Sequence, residues 1–477
     1  MGTLNKGMLI DLIVTGGYLT LLNGSPNDWT VTGQHSYQMD AWNWPTVKAG
    51  TSAKVYIEWG QKGSQKDDSG EAYYSIAGTG NTFQVLGRKP NDFHITINMD
   101  NMATKQSPKG SAIDLGFRHD AAVDFLVSSD ELGNWWSNTG DLTDWMHQSL
   151  DTLGNRTLRQ ICMPGSHDAG MSSFDAGTVG AHFSNSQTQY LNFYDQLVAG
   201  SRYFDLRPVI SGGEWKAGHY SKVENVWLGG NGQKIADIIK QVNDFTAKYK
   251  ELVIINLSHT LDTDNDYKEL NQGQWNKLFD TLKGLNNRFT VKNPGGHDYS
   301  GDTLGSFITD RASVFVFAQL PGGISLGDYA NQGFFNQDNF PIYDSYSNSN
   351  DAAFMQKDQL AKLKAERNLV ADESSRKSKF HVFSWTLTQQ AEDVLNFDKA
   401  IMNLAVSVYE PLFVDAFNAF TPESFPNVLY IDAIGIRDKP VLFPYDKPAS
   451  VGKNSDIISL AMAVNNAKAG RNVYITG

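Results

Sequence analysis

The chain has 477 residues, 40% hydrophobic and 19% charged, which is enough for a barrel-sized domain plus a smaller module and too apolar for a disordered chain. Lysine and arginine number 40 against 52 aspartates and glutamates, a net charge of −12 that argues against generic attraction to nucleic acid or anionic membrane, so an anionic ligand must meet a local cationic group. A single cysteine, Cys162, rules out an intramolecular disulfide framework and a cysteine-based zinc site, and no apolar run approaches the roughly 18 residues needed to span a bilayer.

Residues 1–7 lack the basic and apolar regions of a signal peptide, so a cytoplasmic location is expected, with secretion left open in case a leader has been removed. From Met8 to Val127 the chain reads as short strands rich in β-branched and aromatic residues: Ile10 to Val14, Lys54 to Trp59, Glu71 to Ile76, Thr82 to Leu86 and Phe93 to Ile97. Glycine, asparagine and proline turns separate them, which predicts an antiparallel β-sandwich over residues 1–130. Trp29, Trp42, Trp44 and Trp59 fit either its core or a face for lipid or glycan. Residues 131–141 are polar and glycine-containing and read as a linker.

Over residues 142–477 strand-like runs alternate with helical periodicity. Eight strands are expected, at Ile161 to Met163, Tyr203 to Arg207, Trp215 to His219, Leu252 to Leu257, Val314 to Ala318, Pro341 to Tyr346, Phe380 to Trp385 and Val428 to Asp432. Helices are expected over Gln233 to Lys248, Trp275 to Lys283, Asp351 to Leu369 and Lys399 to Phe417. This is the alternation of a (β/α)8 barrel, irregular because the interval Pro208 to Glu214 is too short for a helix. Pro164-Gly165 is expected to end the first strand, by removing a ladder donor.

Catalytic residues of barrels sit at strand C-terminal ends. There the expected strands place His167, then Asp205 with Arg207, His219, Ser258 with His259, Asp344 with Tyr346, and Asp432. Closure would set Asp432 beside His167, as a carboxylate that orients an imidazole. A guanidinium between two histidines suits a phosphodiester: the planar fork takes phosphoryl oxygens, and two imidazoles supply general base and acid near neutral pH.

The segments Pro164 to Asp168, Gln196 to Arg207 and Glu251 to Leu257 resemble, in order and spacing, the X-domain of phosphatidylinositol-specific phospholipase C, in its small bacterial-type and fungal forms. The resemblance covers roughly Leu142 to Leu442. It implies His167 as general base, Arg207 as phosphate-binding residue with Asp205 as its acidic partner, His219 as general acid and Asp432 as orienting carboxylate. Asp344 and Tyr346 would hold the inositol ring, with Gln319, Ser258 and His259 completing the head-group side. The chain departs from the pattern at Tyr220, where many members carry a glycine after the histidine, and at Gln319 and Ser258, where basic residues are common.

The implied activity is cleavage of a phosphatidylinositol-type lipid by attack of the inositol 2-hydroxyl, giving a cyclic inositol phosphate and diacylglycerol. The implied partners are an inositol phospholipid and, transiently, a membrane surface. No cofactor is expected, since Arg207 stands where calcium-using relatives need oxygen ligands, although Asp168 and Asp205 could still offer two. Two rival readings are a metal-dependent phosphodiesterase acting on glycerophosphodiesters or sphingolipids, and a non-catalytic lipid- or glycan-binding protein. Apolar membrane-contacting tips are expected at Asn225 to Gly230 and at Gln332 to Asn336.

Overall fold

The structure, a computed structural model, describes residues 16–60, 65–89, 92–223, 225–367, 379–390, 393, 396–437 and 455–469. The expected strand Ile10 to Val14 lies outside these residues. The chain divides into two compact units, residues 1–23 with 27–125, and residues 24–26 with 126–477.

The first unit is antiparallel. Trp29–Tyr37, Ser69–Ile76, Thr82–Arg88, His94–Asn98 and Ala112–Gly116 pair in that order as a five-stranded sheet. Thr51–Trp59 pairs with Gly17–Gly24 on one side and Met39–Trp42 on the other, in a second sheet. Ser69–Ile76 alternates between buried and half-buried positions, as a strand with one face on a core must. Tyr74 stacks on Phe83 at 4.9 Å, and Phe83 meets both Trp29 and Phe125 at 5.3 Å. Trp29, Trp42, Trp44 and Trp59 are all buried, so they are core residues and not a ligand face.

The second unit is mixed α/β, built on a curled parallel sheet of eight strands. We number them β1 (Met163–Ser166), β2 (Tyr203–Leu206), β3 (Leu252–Leu257), β4 (Ser313–Ala318), β5 (Phe334–Asn336), β6 (Ile342–Asp344), β7 (Phe380–Ser384) and β8 (Val428–Ile431). Their order is β5-β4-β3-β2-β1-β8-β7-β6, every pair parallel. Among the described residues no ladder joins β5 to β6. Every residue of β3 and β4 is buried, as expected of strands covered on both faces.

Helix α1 (Ile235–Thr246) follows β2 and buries Ile235, Ile238, Val242 and Phe245 at helical spacing. It packs in one cluster with β2, β3, β4 and α2 (Gln272–Leu282), each fully buried aliphatic or aromatic side chain contributing roughly 1.5–3 kcal/mol. Asn271 starts α2 with a capping box to Gln274. Helix α3 (Ala352–Glu366) is capped by Asp351. The helix expected over Lys399 to Phe417 is broken into Ile401–Ser407, Tyr409–Pro411, a π turn at Leu412–Ala416 and Phe417–Ala419. Pro411 lacks the N–H that a continuous helix needs there.

Three expectations are corrected. Trp215 to His219 is not a strand of the parallel sheet: it belongs to Glu214–Val223, which pairs antiparallel with Pro208–Ser211 and Val226–Lys234 in a separate sheet. The Gly212-Gly213 turn, with φ of 64° and 74°, lets the chain reverse at once. Gln332 to Asn336 is not an exposed tip, because Phe334 and Phe335 are completely buried in β5. Pro164-Gly165 does not end β1, which runs on to Ser166. The Pro164 carbonyl accepts from Arg202 N–H, so the donor it lacks would face the chain just before β2 begins. Gly165 leaves room for Val428 of β8, which would lie 2.3 Å from a Cβ there.

No helix among the described residues is long and apolar enough to cross a membrane.

Candidate active site

The C-terminal ends of β1, β2, β3 and β8 converge on one hydrogen-bonded network. His167 follows β1, and its Nδ1 lies 2.6 Å from Asp432 Oδ1, just past β8. Two buried residues pin these ends together: Gln189 Nε2 donates to the carbonyls of His167 at 2.8 Å and Ile431 at 3.1 Å, and Thr188 O accepts from Ala433 N–H. Arg207, just past β2, donates from Nε to Asp205 Oδ2 at 2.9 Å, from Nη1 to Asp168 Oδ2 at 3.4 Å and from Nη2 to His167 Nε2 at 2.9 Å. The last contact requires a lone pair on His167 Nε2, which puts its proton on Nδ1, facing Asp432.

His219 arrives from the hairpin sheet. Its Nδ1 is 2.6 Å from Asp168 Oδ2, so the one oxygen of Asp168 serves both His219 and Arg207. The hairpin comes this close because residue 170 is glycine: a Cβ there would lie 2.2 Å from that of Ala217. Asp168 itself is fully buried in a left-handed conformation, φ 42°, with its N–H on Asp205 Oδ2. Asp205 also accepts from Ser258 Oγ at 2.5 Å and Tyr430 OH at 2.7 Å, and the His167 ring meets Tyr430 edge-on at 5.2 Å. The result is two imidazoles, each with Nδ1 on a buried carboxylate, flanking one guanidinium.

The electrostatics follow from these contacts. Burial would raise the Asp205 carboxyl, but Arg207, His259 and His167, with the Ser258 hydrogen bond, hold it well below the usual carboxylate range. Burial works against the charge on Arg207, and Asp205 and Asp168 overcome it, so the guanidinium stays protonated. Burial also opposes a charged imidazole at His167, and Arg207 adds to that, yet Asp432 and Asp205 outweigh them and the net shift is upward.

Of the residues named from the sequence, His167, Asp205, Arg207, His219, Ser258, His259 and Asp432 are joined in this network. Asp344 stands exposed at the end of β6, where it accepts from Ser384 Oγ at 3.0 Å; crowding on its protein side and the Asp205 charge raise its carboxyl. Tyr346 is 59% exposed and is not bonded into the network. Gln319 Nε2 donates to Asn256 Oδ1 at 3.4 Å, and Asn256 Nδ2 donates to Tyr203 OH. Two residues not singled out as site members prove central, Asp168 and Tyr430. Tyr430 lies two residues before Asp432, on the same side of an extended strand, which was a usable signal. Asp168 adjoins His167 in sequence, but its grip on His219 depends on a left-handed turn that no pattern announces.

Among the described residues no group of three His, Cys, Asp or Glu side chains is arranged to hold a metal ion. Asp168 and Asp205, which could have offered ligands, already engage Arg207, His219, Ser258 and Tyr430.

The fold and site together define a class: a mixed α/β protein whose curled parallel sheet carries two carboxylate-braced histidines beside an arginine. Comparison with known proteins adds the following. No family model matches the sequence, and no curated protein does. Among solved structures, the Staphylococcus aureus phosphatidylinositol-specific phospholipase C is similar at 15% identity, covering 68% of this chain and 98% of that one, with a TM-score of 0.43. The phosphatidylinositol-specific phospholipase C of Listeria monocytogenes is similar at 15% identity, over 68% and 98% of the two chains, with a TM-score of 0.41. At such TM-scores the likeness carries no functional argument, and the chemistry rests on the side chains themselves.

Proposed function

We propose that this protein cleaves a phosphodiester by attack of a neighbouring hydroxyl, and that its substrate is a phosphatidylinositol-type lipid. The observation that carries the reading is the pair of imidazoles, each braced at Nδ1 by a carboxylate, on either side of Arg207. With Nδ1 committed, each histidine presents Nε2, so one can accept a proton while the other gives one.

In the proposed reaction His167 Nε2 takes the proton of the inositol 2-hydroxyl as that oxygen bonds to phosphorus. Arg207 turns its fork to the phosphoryl oxygens and stabilises the charge that grows on them. His219 Nε2 protonates the glycerol oxygen as the phosphorus–oxygen bond breaks, releasing diacylglycerol and leaving a cyclic inositol phosphate. Asp432 and Asp168 hold the two rings at Nδ1, and Asp432 also favours the charged form of His167.

Contact with a lipid surface would rest on apolar side chains beside the hairpin that carries His219. Val179 is 99% exposed and Val226 62%, and Thr178 N–H bonds the Gly229 carbonyl, which ties the two segments together. Trp227 is half-buried and stacked on Tyr267 at 5.2 Å. We take residues 1–130 to be a separate β-sandwich module and residues 142–477 the catalytic one.

The test is incubation of the full chain with phosphatidylinositol vesicles, following phosphorus by NMR and diacylglycerol by chromatography. A cyclic phosphate signal appearing with diacylglycerol is expected. Phosphate that stays on the lipid, or a linear monoester with no cyclic precursor, would refute the mechanism.

A further inference from the structure

We propose that the base of the parallel sheet, at the end opposite His167, holds a small monovalent inorganic anion such as chloride, bound by the Arg367 guanidinium and the His381 ring. The site lies outside the groups assigned to phosphodiester cleavage and does not depend on that reading.

The geometry gathers open donors in one place. Arg367 directly follows α3 and is completely buried. It donates from Nε to the Phe425 carbonyl at 3.3 Å and from Nη2 to the Arg159 carbonyl, beneath the starts of β8 and β1. The same Arg159 carbonyl accepts from Asn427 Nδ2 at 2.8 Å, and Asn427 Oδ1 accepts from the backbone N–H of His381, in β7, at 2.9 Å. One asparagine thus links the anchor of the guanidinium to the strand that carries the imidazole. His381 is 1% exposed, and its ring stacks on Tyr343 at 4.9 Å. Among the described residues, Arg367 Nη1 and both ring nitrogens of His381 have no hydrogen-bond partner. Buried polar groups are nearly always paired, so two open ones in a single neighbourhood mark a place for a ligand that accepts.

The charge around them is one-sided. Three arginines are buried this deeply among the described residues: Arg202 pairs with Glu251 at 2.8 Å and Arg156 with Glu131 at 3.8 Å, whereas Arg367 pairs with no carboxylate. Its partners are two carbonyls and the ring of Phe425, whose centroid is 5.2 Å away, and these soften the charge without cancelling it. Burial pulls the guanidinium down to about 9, with Arg159 pushing the same way, and it is still charged in neutral solution. Cys162 eases that charge, yet burial keeps its thiol neutral. Burial and Arg367 draw His381 down to about 3, so the ring is neutral and offers one N–H. What the site lacks is a negative charge that fits among close-packed side chains and is content with N–H donors. A halide ion meets both conditions, while a phosphate would need a matching donor for each of its oxygens.

The experiment uses the full chain with chloride and bromide as probes. Thermal unfolding is followed at constant ionic strength as sodium gluconate is exchanged for sodium chloride, for wild type, Arg367→Met and His381→Phe. An anion that binds only the folded state raises the melting temperature with its concentration, so wild type should show a saturating rise. Arg367→Met fills the space without charge and should keep only the shallow, unsaturating trend of general salt exchange. His381→Phe retains a ring against Tyr343 and loses the N–H, so its midpoint should move to about tenfold higher chloride. Wild-type crystals soaked in bromide should show an anomalous scatterer in contact with Arg367 Nη1.

The same chloride dependence in wild type and Arg367→Met would overturn the proposal, as would a water or a carboxylate of the chain at Nη1 in the bromide crystal. An unshifted midpoint in His381→Phe would overturn the two-donor site. If Arg367→Met does not fold, the crystal decides: a scatterer at Nη1 upholds the site, and its absence at saturating bromide removes it. None of these readings involves turnover, so they stand or fall separately from the catalytic test.

Discussion

Replacing Asp168 by asparagine tests the acid half of the site most sharply. Asp168 is fully buried, and its Oδ2 lies 2.6 Å from His219 Nδ1 but 3.4 Å from Arg207 Nη1. The first is a full charge-assisted hydrogen bond, worth about 1.5–3 kcal/mol, and the second is marginal because Arg207 keeps Asp205 at 2.9 Å. Aspartate holds the His219 ring through an anionic acceptor at Nδ1; the amide retains shape but not charge. At about 1.4 kcal/mol per decade, the loss in turnover should be roughly 10- to 100-fold on a substrate with an alkyl leaving group such as diacylglycerol. An aryl leaving group departs without protonation, so an umbelliferyl inositol phosphate should lose no more than about threefold. The assay is therefore a ratio: Asp168→Asn and His219→Ala against wild type, each on both substrates. Equal losses on alkyl and aryl substrates would show that His219 does not act as the acid, and normal alkyl cleavage by His219→Ala would remove it from the mechanism altogether.

Further outcomes follow from the same contacts. His167 as a base must be neutral, and its pKa is raised, so the acid limb of kcat/KM should lie above the ordinary imidazole value of 6.5; Asp432→Asn should move that limb to lower pH while reducing turnover, and an unmoved limb would break the pairing. Because the folded state raises this pKa, the stability that His167 contributes is full below pH 6.5 and fades as pH climbs through the folded value, a slope that Asp432→Asn should flatten in denaturation curves. Arg207→Lys should cost about 100-fold or more in kcat/KM, since an ammonium cannot address Asp205, Asp168 and His167 together, while excess chelator should leave the wild-type rate unchanged; a loss reversed by calcium would reassign the chemistry. Val179→Ser with Val226→Ser should weaken vesicle binding and spare a water-soluble substrate, whereas Phe335→Ala, which removes a ring stacked on Phe315 at 4.4 Å, should cost about 3–5 kcal/mol of stability by thermal unfolding.

Much of the second unit is legible in the sequence because fully buried parallel strands are apolar runs, and their ends show where polar side chains must begin. Tyr203–Leu206, Leu252–Leu257 and Val428–Ile431 could be read this way, and with them the positions of Arg207, His259 and Asp432. Phe334–Asn336 could not: three residues hold too little pattern to tell a strand from a loop, and only the ladder to β4 makes it one. Glu214–Val223 carries the right residues for a strand but nothing that assigns it to a sheet, because sheet membership is a matter of hydrogen-bond partners distant in the chain. In the first unit Trp29–Tyr37 is hard to read because its alternation of apolar and polar residues stops after Thr32, with Gly33 following and Gln34 to Tyr37 all exposed.

The sequence by itself determined which side chains stand at the strand ends and the sign of charge they bring. Only the tertiary structure decided that His219 reaches the site from a hairpin, held close by the missing Cβ of Gly170. It likewise decided that Asp168 serves two partners and that Ser258 bridges Asp205 and His259. Those facts turn on left-handed backbone at residues 168 and 259 and on contacts between segments some fifty residues apart, which local pattern does not encode because the energy that selects them is released only when the segments meet.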